Sequence, residues 1–462
     1  MDRTEQAASP VHGATRSRRA IARSALTARA FPVALALGLT IFAGVLTDVV
    51  TCSQVLVLGG PETLLVLFPL SGIGLAIPAI LLVPVIDKWA RLSMVRTVFL
   101  GVTAAYVVLL ALMAASLTWW PETSLPLLTT GGLWILAAIM GYLLPMLLWS
   151  LSADLFNVSQ TRQVNGWIVS WTYVGRIAAL ALAVVSPVLM TAADLPLPWL
   201  LVIPPALTAF IALWLPRRLR GQGAATGLAH PEGPRAALAS GWSFVREVRV
   251  WWWLLVGSVI TFTAGSALSL GISAASELII GADAGRLQAY LAGILLVSTA
   301  ICLLVQRYLA ERVTDRVGIN GTLLILPVSV VLSGLLLAAS LLTENLWLLA
   351  AAALLWRVPS WSVDQNARTA ALGFVPDQRR ARVSLILVLA TFALTWILAA
   401  PVVAPGLLGS QTWLVGALPA AVGAAALFWW VRVYNGWDAS MLNWRLRRRK
   451  RVDVPGLGGD EA

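Results

Sequence analysis

The chain has 462 residues, 59% of them hydrophobic, a mean hydropathy of +0.83 and a formal net charge of +12. That apolar share is well above the ~45–50% of a soluble domain, so a water-soluble globular protein is excluded. The positive balance is not spread as a nucleic-acid surface would be: 29 of the 33 Lys and Arg residues sit in seven short segments, 1–30, 87–97, 153–166, 216–250, 306–321, 373–382 and 432–462. Long apolar runs separate these segments, which is the positive-inside pattern of a chain that crosses a bilayer repeatedly.

In chain order, runs of about 20 apolar residues predict twelve spanning helices, at 31–52, 63–86, 95–117, 129–152, 165–190, 197–215, 251–276, 288–306, 321–342, 346–372, 383–405 and 411–431. The basic stretch Arg16–Arg29 precedes an apolar run too long for a signal-peptide core and without a small-residue cleavage site, so an uncleaved first helix is expected. An even number of spans puts both basic tails, 1–30 and 432–462, on one side. The basic loops make that side cytoplasmic, facing the anionic lipid of a cell membrane. The opposite loops carry Glu62, Glu122, Asp194, Glu277, Asp283 and Glu344 against the single Arg286. Residues 216–250, with GQGAATGLAHPEGPRAAL, read as a cytoplasmic linker between six-helix halves at 31–215 and 251–431.

Of the 22 tryptophans, Trp119, Trp120, Trp199, Trp214, Trp251, Trp252, Trp347, Trp413, Trp429 and Trp430 fall where an interfacial aromatic belt is expected. Trp149, Trp356 and Trp361 lie nearer polar residues. The two cysteines, Cys52 and Cys302, sit at different depths and predict no disulfide. No Cys/His cluster suggests a metal, and no motif implies a cofactor. G-x-x-x-x-G-K-[ST], H-E-x-x-H and G-x-S-x-G are all absent, so neither a self-contained ATP-driven pump nor an enzyme is expected.

The charges inside the membrane are the informative ones, because burying them is costly. Arg176 lies near mid-depth in the fifth predicted span with no acid three or four residues away. Asp48 lies in the outer third of the first, and Asp154 ends the fourth. The tenth contains LLWRVPSWSVDQNARTAAL, in which Arg357, Asp364 and Arg368 fall at about 0°, −20° and +20° on an α-helical wheel. That seam must line the bundle interior, and Trp361 flanks it. Pro359 removes a backbone hydrogen bond there and permits a kink. Two readings stay open. Arg176 and Arg357, with Asp364 and Trp361 beside them, grip an anion bidentately, while Asp48 or Asp364 carries a coupling proton or balances charge, and Asp48, Asp154 and Arg368 are the candidates for coupling or ion pairing. Alternatively, these residues form interhelical ion pairs that fix packing.

After the second helix of each half comes a short D-[KR] turn: Asp87-Lys88 with Arg91, and Asp315-Arg316 with Gly318. LLW recurs at 147–149 and 354–356. A duplicated turn of this kind in a six-plus-six arrangement resembles the major facilitator superfamily, although Val83, Ala90 and Glu311 replace residues usual in its G-x-x-x-D-R-x-G-R-[RK] motif. The resemblance implies an all-α transporter that rocks two halves around a midplane cavity lined by helices 1, 4, 5, 7, 10 and 11, with the turns as conformational gates. SADLFNVSQTR, QRYLAERVTDRVGINGTLLILP and FVPDQRRARVSLI are further similar to the ATP/ADP-translocase-like nucleotide transporters. That branch uses membrane-embedded lysines and glutamates, whereas Lys88 and Lys450 lie outside the predicted spans.

The expectation is therefore a secondary transporter of a small organic anion, such as a nucleotide or other phosphorylated metabolite, with protons or a counter-substrate as candidate coupling partners. A proton-coupled exporter of drugs or amphiphiles, and a non-transporting membrane partner of the same fold, remain as alternatives.

Overall fold

The computed structural model describes residues 10–86, 90–156, 158–220, 242–247, 249–372, 375, 383, 387 and 391–452. Among them there is no strand. Twelve helices are long and apolar enough to span a membrane: α1 Leu26–Gly59, α2 Pro61–Pro78, α3 Arg91–Trp119, α4 Leu125–Ser152, α5 Gln163–Ala192, α6 Leu197–Leu219, α7 Arg249–Ile280, α8 Ala284–Tyr308, α9 Arg312–Thr343, α10 Leu346–Asp364, α11 Thr391–Leu408 and α12 Leu414–Trp437. In hydrocarbon every backbone polar group needs an internal partner, so apolar runs of this length must be helical. The first and last helices extend beyond the apolar segments, back to Pro10 and on to Val452. Most of the expected linker, 221–241, lies outside the described residues, as do Asp87 and Lys88.

Without a hydrophobic driving force between helices, close packing of small residues holds them together. At the α1–α5 crossing Gly38 meets Gly175, and a β-carbon on either would run into the other helix's backbone. Gly334 and Gly416 do the same for α9 and α12. The long α9 breaks at its base, where Gly318 adopts φ 75°, ψ 166°. That region of backbone space is essentially reserved for glycine, so the D-R turn needs it. In the first half Ala90 makes the corresponding break with φ −58° and ψ 125°, which any residue tolerates.

Among the described residues, three apolar clusters make up the core. On the face opposite the termini one cluster runs across both halves, joining Val55 and Leu56 of α1 and Leu64 of α2 to Leu268 and Ile272 of α7, Leu291 of α8 and Val403 of α11. On the terminal face the other two clusters stay apart, although the first also takes in Ala292 of α8 deeper in the bundle. Met94, Leu151, Leu155 and Val164 belong to one, and Trp251, Leu254, Leu323 and Trp430 to the other. Among the described residues these two do not merge. Trp251 and Trp430 are therefore not belt residues as expected: they are 2% and 1% exposed, because α7 and α12 pack face to face and the Trp430 indole donates to Thr261 at 2.9 Å. Trp119, Trp199 and Trp347 are exposed, as an interfacial belt requires.

Between the halves, α5 and α8 are bonded at two levels. Gln288 donates to the Ala183 carbonyl at 2.9 Å and to Ser186 at 2.8 Å. Nearer the terminal face, the Tyr173 hydroxyl donates to Gln306 at 2.6 Å. On the other flank, α2 and α11 approach closely at Gly72 and Ala393.

Candidate functional site

Among the described residues, complete π-helical turns lie at Ile139–Leu143 in α4 and Pro359–Asp364 in α10. Each adjoins a proline, Pro145 and Pro359, whose missing N–H removes one rung of the α-helical ladder. Such turns occur most often at functional sites. Each presents an aromatic side chain to the interior: Tyr142 from α4 and Trp361 from α10.

Trp361 is the centre of the candidate site. The Arg176 guanidinium lies 4.4 Å from its ring centroid and that of Arg357 lies 5.4 Å away. Arg176 reaches it from α5, one half of the molecule, and Arg357 belongs to the other. Close packing of Gly175 on Gly38 sets the depth of Arg176. Asp48 of α1 lies within electrostatic reach of both arginines, as does Tyr142. Asp48 accepts a 2.7 Å hydrogen bond from the Trp134 indole of α4. It makes no ion pair at salt-bridge distance among the described residues, and the Arg357 Nε is buried with no hydrogen-bond partner.

Asp48 and Tyr142 are exposed even though each lies well inside its helix, and Thr47 and Val49 on either side of Asp48 are buried. Their neighbours are charged and aromatic residues of other helices, so the surface they expose borders a space inside the bundle. Phe392 and Trp396 of α11 line it at 5.3 and 5.6 Å from Tyr142, and Phe262 of α7 packs on Phe392 at 5.6 Å. Asp48 and Arg357 are each about 16 Å of helix rise from the end opposite the termini, so they sit at one depth.

A hydrogen-bond relay holds the π-turn of α10. Gln306 of α8, which accepts from Tyr173, donates to the Trp361 carbonyl at 3.0 Å. The Cys302 thiol points at the carbonyls of Arg357 and Val358 at 3.9 and 3.8 Å. The Val358 carbonyl also accepts from the Ser362 hydroxyl at 2.5 Å.

The structure separates residues that a uniform helix would have put together. Asp364 does not join Arg357 on one stripe. The π-turn adds a residue between them, and Asp364 pairs instead with Arg368 at 2.5 Å, only 2% exposed. Arg368 also donates to Ser258 of α7 and lies 4.6 Å from the Phe262 ring and 5.8 Å from that of Trp430. Asp364 and Arg368 thus tie α10 to α7 and α12. Asp154 pairs with Arg91 at 3.0 Å, joining the ends of α4 and α3. Asp315 and Arg316 are exposed in the first residues of α9, before its break at Gly318. Sequence reasoning missed Trp134, Tyr142, Tyr173 and Gln306. They are uncharged, and nothing in an apolar helix marks which of them faces inward.

Against solved structures, the chain aligns over nearly its whole length with several transporters. The nucleoside transporter NupG matches at 16% identity and a TM-score of 0.56, covering 88% of this chain and 99% of that one. A bacterial homologue of the iron transporter ferroportin in its inward-facing state matches at 15% identity and 0.62, covering 88% and 99%. An auto-inhibited peptide transporter of the POT family matches at 15% and 0.58, covering 87% and 97%. The fold is the twelve-helix major facilitator fold. No family model matches the sequence, and no curated protein matches it. Asp48, Tyr142, Arg176, Phe262, Trp361 and Phe392 bring α1, α4, α5, α7, α10 and α11, the helices named above, to this site.

Proposed function

We propose that the protein is a secondary transporter of a small organic anion, working by alternating access between its two six-helix halves. One observation carries this reading: two guanidinium groups from opposite halves converge on Trp361, and the buried Nε of Arg357 lacks an acceptor. A planar guanidinium supplies the paired donors that a phosphate or carboxylate accepts. With Asp48 ionised the three charges sum to +1, which suits a monoanion, or a dianion accompanied by one proton. Structural neighbours are named for nucleosides, iron and peptides, so the fold does not choose the substrate. The finer reading, a nucleotide or phosphorylated metabolite, rests on the sequence segments that resemble the nucleotide transporters.

The core that spans the halves on one face and divides on the other supports a state open toward the termini. The basic loops support assigning that face to the cytoplasm of a cell membrane.

The test is a thermal-shift measurement on the detergent-purified chain with nucleotides, sugar phosphates, carboxylates and hydrophobic cations. A ligand at ~100 times its dissociation constant adds about 2.7 kcal/mol. Stabilisation by phosphates or carboxylates, lost in Arg176→Ala and in Arg357→Ala, is the expected result. A response to cations alone would overturn it in favour of a proton-coupled exporter, for which the exposed Asp48 and the aromatic walls are the relevant features. If neither class is bound, the reading as a non-transporting partner gains.

A further inference from the structure

A second cluster of arginines lies outside the bundle interior. α3 and α6 are pinned at mid-length by a hydrogen bond between the hydroxyls of Thr103 and Thr208, 2.8 Å apart. Toward the terminal face the two helices leave a shallow cleft of about 100 Å³, whose lining includes Arg96 of α3 and Arg217 and Arg220 at the end of α6. All three arginines are exposed, no acid lines the cleft, and none of the three makes an ion pair at salt-bridge distance among the described residues. One turn or more deeper in the membrane, Leu100, Leu213 and Phe210 present apolar side chains that are 36%, 44% and 44% exposed. The cleft therefore has a cationic mouth level with the helix ends and an apolar wall of Ala212, Leu213 and Pro216, and beyond it Leu100 and Phe210 continue the apolar surface along the helices.

We infer that this cleft is a binding site for an anionic phospholipid, its phosphodiester headgroup held by Arg96, Arg217 and Arg220 and its acyl chains laid over Leu100, Leu213 and Phe210. Charge complementarity selects an anion, and three guanidinium groups on one cleft match phosphate oxygens better than diffuse surface attraction does. The apolar strip selects a lipid over a free anion, because inorganic phosphate has nothing to place there. Basic pockets between helices at a membrane surface take such headgroups. Loss of one arginine near the surface is expected to weaken binding about fivefold, and loss of all three roughly 100-fold.

The experiment is native mass spectrometry of the full chain in detergent, titrated in parallel with phosphatidylglycerol, phosphatidylcholine and inorganic phosphate. Wild type is expected to retain phosphatidylglycerol in preference to phosphatidylcholine. Arg96→Gln, Arg217→Gln and Arg220→Gln each reduce occupancy, and the triple variant abolishes the preference while keeping the wild-type melting temperature without added lipid. Equal retention of phosphatidylcholine overturns the proposal, as does an undiminished preference in the triple variant. Occupancy by inorganic phosphate that competes with the lipid makes the cleft a free-anion site and overturns it too. If the triple variant does not accumulate, the headgroup preference of wild type, together with the single variants, decides.

Discussion

At the scale of single residues, the three charges of the candidate site are not equivalent. Asp48 is held by the Trp134 indole and faces the arginines without closing an ion pair on either. It is therefore a competitor for the same guanidinium groups as an anionic substrate. Replacing it by Asn keeps an oxygen for Trp134 and removes the charge. Asp48→Asn is expected to bind the anion at least about tenfold more tightly, since a nearby carboxylate of this kind weighs one pKa unit or more, and to transport it more slowly or not at all. Equilibrium binding and vesicle uptake measured on the same preparation check both halves of that statement; weaker binding would remove Asp48 from the site. Trp361 acts differently, through its π-face. Trp361→Leu removes two cation–π contacts, worth about 0.5–1 kcal/mol each in a site open to water, so a roughly five- to thirtyfold loss of anion affinity is expected in a titration, with the helix content unchanged.

At the scale of elements, the π-turn of α10 is what orients Arg357 and Trp361 toward the interior while sending Asp364 to Arg368. Pro359 is its cause in the sequence. Pro359→Ala restores a backbone donor and removes a residue that costs roughly 3 kcal/mol in a helix interior. The variant is expected to melt at a higher temperature and to lose anion binding, because a regular α-helix would turn Trp361 away from Arg176. Higher stability with unchanged binding would show that the turn is incidental. Gly318 offers the opposite case. Gly318→Ala places a β-carbon in a conformation that costs of order 1–3 kcal/mol, so a lower melting temperature is expected, whereas Ala90→Gly at the matching break of the first half has no such strain to relieve.

These elements also mark how far the sequence could be read. The twelve spans were legible because transfer of about 20 apolar residues from water dominates every other term. Arg176 and Arg357 were legible because a charge stands out against that background. The partition of Asp364 and Arg368 away from Arg357 was not, since a wheel at 100° per residue assumes an unbroken ladder and Pro359 announces only that a break is possible. Trp134, Tyr142, Tyr173 and Gln306 were hidden for another reason: their partners come from other helices, and the pairing exists only after the bundle has assembled.

At the scale of the molecule, closure on the face opposite the termini depends on the shared apolar cluster and on the two hydrogen bonds that Gln288 gives to α5. Hydrogen bonds of this kind contribute about 0.5–1.5 kcal/mol each. Gln288→Ala is expected to shift the population toward opening on that face. Cys52, 7% exposed within the cluster, is a built-in reporter. In a Cys302→Ser background, alkylation of Cys52 by an impermeant maleimide should accelerate severalfold over the same background with Gln288 intact. An unchanged rate would mean that the apolar cluster alone holds the closed face.

The contact of Gly38 with Gly175 has a geometric consequence. Two helices whose backbones touch at a point without side chains cannot easily slide apart, so α1 and α5 travel together and Asp48 keeps its distance from Arg176 wherever the halves go. Arg357 rides on the opposite half. Under the alternating access proposed above, the site would behave as a caliper, with one jaw carrying a fixed pair of charges and the other a single arginine with an unfilled donor. The gap at which the jaws come to rest is a length, and the molecule that spans it chooses itself by size before its chemistry is read.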